Sequence, residues 1–153
     1  METNNIVVLN YLINVMNFDP SIKNNRGLIL ACIKSNYPIV DLLLKNVNVD
    51  PSAQNNLALF ISIDKKRLNI FDLLINKVNL TSQLLNDLFL YACEKGEINI
   101  VKRLLEFKDL YENIDILNKA LQTVCAQNYT DIFDILINIP EINPSANNNT
   151  CLM

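Results

Sequence analysis

Four cysteines, Cys32, Cys93, Cys125 and Cys151, are the side chains best suited to chemistry in this 153-residue chain. A thiolate can attack a carbonyl or hold zinc, but both uses need partners. Histidine is absent. That removes the commonest general base, the commonest metal ligand, and the Cys–His and Ser–His nucleophile pairs. No CxxC pair occurs either, so a zinc site has no ligand set. The carboxylates of Asp41, Asp72 and Asp134 recur 31 and then 62 residues apart. Such spacing places them on successive structural units rather than around one substrate, and they read as a solvated outer face. Glycine occurs only twice, at Gly27 and Gly96, so neither GxGxxG nor GxxxxGK[ST] can be written. No enzymatic activity, cofactor, metal or small-molecule substrate is therefore expected.

Half of the residues are hydrophobic and 19% are charged, a balance that argues for a folded domain rather than disorder. A net charge of −3 with scattered Lys and Arg lacks the footprint of a nucleic-acid binder. The densest basic run, Lys65-Lys66-Arg67, follows Asp64 and reads as a solvated turn. No basic stretch opens the chain, so no signal peptide is expected. The uncharged run from Thr3 to Phe18 is shorter than a membrane span and holds five asparagines, so no membrane segment is expected. Together these features predict an intracellular, cytoplasmic protein.

The elements that must position any site come from a repeat. Asp19-Pro20-Ser21 recurs as Asp50-Pro51-Ser52 and as Asn143-Pro144-Ser145, at gaps of 31 and 93 residues. A second marker, Ile39-Val40-Asp41-Leu42-Leu43-Leu44, recurs from Ile70, Ile100 and Ile132, in steps of 31, 30 and 32. Its apolar positions form a stripe of period 3.6, which predicts a helix; they do not alternate as a strand would. A fainter copy, Val8 to Ile13, precedes the first turn. A first helix is predicted after each Asp-Pro-Ser turn, with Asn24-Asn25, Asn55-Asn56, Asn86 and Asn118 as its N-caps. One column carries Leu28, Leu59, Phe89 and Leu121. The next carries the small-residue pairs Ala31-Cys32, Ser62-Ile63, Ala92-Cys93 and Val124-Cys125, which would let neighbouring helices approach closely. The column cysteines are thus expected to be buried apolar contacts, outside any disulfide; Cys151 reads as exposed.

These residues resemble the ankyrin repeat, whose pattern runs roughly T-P-L-H-x-A-A-x-x-G-H-x-E-I-V-K-L-L-L. The best copy is Asp87 to Leu105, with Ala92-Cys93, Gly96 and Ile100-Val101-Lys102-Arg103-Leu104-Leu105 in register. Ser35, Lys66 and Asn128 stand where the family has that glycine, which leaves the turn geometry open. The Asp-Pro-Ser…Asn-Asn style, with its 25 asparagines, resembles ankyrin arrays of amoebae and their giant viruses, which would place the chain in a host cytoplasm. The resemblance implies an all-α solenoid of about four full repeats (residues 19–49, 50–80, 81–112 and 113–142). A half-repeat, 1–18, and a partial repeat, 143–153, flank them in one domain spanning 1–153. The N-terminal piece supplies a second helix without a clear first one.

The family's role implies a protein–protein interaction module, an adaptor or scaffold with no catalysis, that binds an unidentified protein partner through turn tips and first helices. Enzyme inhibition by occlusion and a structural piece of a longer array are the alternatives. In ankyrin proteins the two residues after the small pair face the partner. Here they are Ile33-Lys34, Asp64-Lys65, Glu94-Lys95 and Ala126-Gln127, and three of them form a lysine ladder. Lysine there also suits a helix C-terminus, so the exposed Ile33 is the more informative member.

Overall fold

The computed structural model describes residues 2–140 and 142, and the side chains of 5–140 and 142. Ten helices and no strand occur among the described residues. They fall into two compact units, residues 1–79 and 80–153.

In the first unit, α1 (Glu2–Asn14) packs on α3 (Tyr37–Leu44), α2 (Ile22–Ile33) pairs with α3, and α4 (Ala53–Asp64) pairs with α5 (Leu68–Ile75). The pairs stack through α2 against α4 and α3 against α5. In the second unit, α6 (Ser82–Glu94) pairs with α7 (Ile98–Leu104), and α9 (Ile114–Ala126) with α10 (Thr130–Ile137). Here α6 lies against α9 and α7 against α10, while the single turn α8 (Lys108–Tyr111) touches both α6 and α9.

The repeated columns form the cores. Leu28, Leu59, Phe89 and Leu121 are each 1% exposed or less. The second helices bury one stripe, as their pattern predicts: Val40, Leu43 and Leu44 in α3, Ile70, Phe71, Leu74 and Ile75 in α5, Ile100, Val101 and Leu104 in α7, Ile132 and Leu136 in α10. Burying a Leu or Phe side chain stabilises by about 1.5–3 kcal/mol, so the stacked column outweighs any single turn.

Every first helix ends in the same way. Ser35, Lys66, Gly96 and Asn128 all lie in the left-handed region, with φ of 53°, 57°, 69° and 60°. Each closes two bonds. Ser35 N–H donates to the Cys32 carbonyl and Asn36 N–H to that of Ala31, both at 2.9 Å; the other three turns repeat this pairing. This is the Schellman stop, which satisfies carbonyls left free at a helix C-terminus. The missing glycines have not altered the turn.

The helix starts differ from expectation. Lys23-Asn24-Asn25 and Gln54-Asn55-Asn56 form single left-handed turns, with φ between 54° and 61°. Asparagine is the residue other than glycine that best tolerates this region. These asparagines therefore shape the backbone instead of capping it. Asn86 and Asn118 are not caps either; they lie inside α6 and α9, which begin earlier. The side-chain caps fall on Asn36, Thr81 and Asn113, which accept from the amides of Ile39, Leu84 and Ile116 at 3.2, 3.2 and 3.3 Å. The Asp-Pro-Ser turns behave as their chemistry predicts. Asp19 Oδ1 accepts from the Ser21 amide at 2.9 Å, and Asp50 Oδ1 from the Ser52 amide at 2.8 Å. The third copy, Asn143-Pro144-Ser145, and Cys151 lie outside the described residues.

Candidate functional site

The eight residues singled out as partner-facing occupy one structural position. Lys34, Lys65, Lys95 and Gln127 are the C-cap residues of α2, α4, α6 and α9, and Ile33, Asp64, Glu94 and Ala126 precede them. All eight are exposed. Because α2 packs on α4, Ile33-Lys34 and Asp64-Lys65 are brought together in the first unit; α6 and α9 do the same for Glu94-Lys95 and Ala126-Gln127 in the second. Lys95 Nζ lies 5.0 Å from the Tyr91 ring centre, one turn back on α6. Ile33 is 41% exposed, an apolar side chain in water at a helix end whose core face is already filled.

In each unit the charge at these helix ends is mixed rather than uniformly basic. Each C-cap lysine sits at the negative end of a helix dipole, and two of the three follow a carboxylate, Asp64 or Glu94. Such a surface suits a partner with interleaved charges better than a polyanion. Among the described residues no group of three or more His, Cys, Asp or Glu side chains could hold a metal ion. No helix among them is long and apolar enough to cross a membrane.

The carboxylates of the second helices do not converge. Asp41 pairs with Lys45 at 2.7 Å on α3, and Asp134 is exposed on α10. Cys32 and Cys93 are free, buried thiols, and burial raises the pKa of each from 9.0 to about 12. Both are therefore inert apolar contacts at neutral pH. Cys125 corrects the column reading. It is only half-buried and is held in a disulfide. The cause is positional: no described helix stacks on the far side of α9, so its sulfur is not sealed as those of Cys32 and Cys93 are. A cleft of about 320 Å³ opens there, lined in part by Cys125, Ala126, Asn128, Tyr129 and Phe133.

Sequence reasoning missed an apolar groove in the first unit, about 250 Å³, bounded by α1, α2 and α3. The signal was present: Gly27 and Leu30 belong to the repeat, yet no described first helix meets them.

A family model described as ankyrin repeats, three copies, matches residues 1–84. Neither the curated proteins nor the solved structures contain a match to the chain.

Proposed function

Because the chain belongs to the ankyrin repeat family, whose members generally bind other proteins, we propose that it is an interaction module that holds a protein partner on the ends of its first helices. The observation that carries this reading is the shared position of Ile33-Lys34, Asp64-Lys65, Glu94-Lys95 and Ala126-Gln127. All are exposed, and all immediately precede a left-handed turn closed by two backbone hydrogen bonds. Rigid presentation lowers the ordering cost of binding. In the first unit Ile33 supplies an apolar anchor beside the charges of Lys34 and Lys65, and in the second Lys95 supplies the charge.

The test is quantitative affinity capture from cells, comparing the native chain with the triple variant Lys34→Glu, Lys65→Glu and Lys95→Glu. Circular dichroism first establishes that the variant is as helical as the parent. Specific loss of a captured protein supports the placement. An unchanged set of captured proteins refutes it.

A further inference from the structure

We propose that the groove between α1 and α2 is a second docking site, separate from the helix-end residues, and that it takes one amphipathic helix of a partner protein whose apolar face is flanked by carboxylates. The fold itself shows what fills such a place. One repeat on, the matching face of α4 carries Ala53 and Ala58, which are 6% and 0% exposed; α2 packs against that helix. On α2 the same positions are Ile22, 48% exposed, and Gly27, which is open to solvent. Leu30 is 47% exposed, whereas its counterpart Ile61 is half-buried. The floor of the groove is completed by Leu9 of α1 and by Ile39 and Leu43 of α3. It is thus the trough between two helices into which a first helix fits, and no described first helix occupies it.

Charge selects the occupant. Lys23 and Arg26 stand on the rim, both exposed, and no residue lining the groove is acidic. The matching residues of α4 are the uncharged Gln54 and Leu57. In the first unit the two cations thus occur on the open face of α2 and not on the covered face of α4. They also disfavour a symmetric pairing of two copies through this groove, which would set Lys23 and Arg26 against their own kind. Gly27 lets an incoming backbone approach closely, as small residues do at helix contacts.

Gly27 also provides a variant that keeps the fold. A Cβ there would meet nothing nearer than the Pro20 carbonyl, at 3.8 Å, and a side chain in place of glycine favours the helix. The probe is a fluorescein-labelled helical peptide of about 15 residues, with Leu and Ala on one face and Glu on both flanks. A second peptide carries Lys in place of Glu. Each is titrated with the full chain and followed by anisotropy. The Glu peptide is expected to bind saturably, and about tenfold or more tighter than the Lys peptide. Gly27→Leu and Arg26→Glu should each weaken it about tenfold with unchanged far-UV dichroism. The Lys34/Lys65/Lys95 triple variant should bind it normally, which separates this site from the helix-end surface. Absent binding, equal binding of the two peptides, or insensitivity to Gly27→Leu overturns the proposal. So does self-association of the chain that Gly27→Leu abolishes, since a second copy would then be the occupant.

Discussion

Replacing Ser35 by glycine should stabilise the protein, although glycine ordinarily weakens a helix. Ser35 has φ of 53° and sits at the left-handed stop of α2. That region costs a residue bearing a Cβ about 1–2 kcal/mol. Glycine removes the cost but gains freedom in the unfolded chain, which returns about 0.4–1 kcal/mol. The two turn-closing bonds, Ser35 N–H to Cys32 O and Asn36 N–H to Ala31 O, involve backbone only and survive the change. The net gain is about 0.5–1 kcal/mol. In urea, with a slope near 2 kcal/mol/M, this moves the midpoint up by about 0.3–0.5 M. Gly96→Ala is the mirror experiment. It adds a Cβ at φ of 69°, and that atom falls 2.8 Å from the Tyr129 ring. Its loss should therefore exceed the simple strain of about 1 kcal/mol. Ser35→Ala keeps the Cβ and should be near neutral. Midpoints and slopes from urea unfolding at 222 nm decide the matter. A lowered midpoint for Ser35→Gly at constant slope would refute the claim that the turn, not the residue, sets the cost.

Asn25 Oδ1 accepts from the Asp50 amide at 2.9 Å, across two repeats. Asn25→Gly keeps the left-handed backbone, whose φ is 58°, but deletes the acceptor. It should cost about 1–3 kcal/mol for the orphaned, part-buried amide; a thermal midpoint equal to the parent's would remove that bond from the account. The thiols of Cys32 and Cys93, raised to about 12 by burial, should resist iodoacetamide at pH 8 in the folded chain and react on unfolding, as peptide mass spectrometry would show. Since their folded pKa lies above the ordinary thiol value of 9.0, their contribution is complete below pH 9 and is lost as pH rises towards 12. Cys93→Ala should therefore flatten the fall in stability over that window, and an unchanged slope would count against it.

The repeat was readable because burial imposes it. Leu28, Leu59, Phe89 and Leu121 hold one column, and a column that fills a core leaves a periodic trace in the residues. The stops were readable mainly as positions: Ser35 and Lys66 carry no mark of a left-handed turn, although Asn128 does, and the bonding of the preceding helix dictates one at each. The Asn-Asn pairs misled because asparagine suits both an N-cap and a left-handed residue. Which role it takes depends on where the Asp-Pro-Ser turn delivers the chain. The single turn α8 escaped notice because four residues leave no period to read. For the candidate site, exposure of all eight residues follows from the family register. The groove beside Gly27 follows from what stacking leaves uncovered, a property of neighbours and not of any local pattern.

The Asn25–Asp50 bond has a consequence for measurement. The Asp50 amide, in the turn before α4, is held by a side chain from the preceding repeat. Its hydrogen can exchange with solvent only when that grip opens. Amides within α2 or α4 report fraying of one helix; the Asp50 amide instead times the parting of two stacked repeats. One proton thus clocks the interface on which a solenoid's cohesion depends.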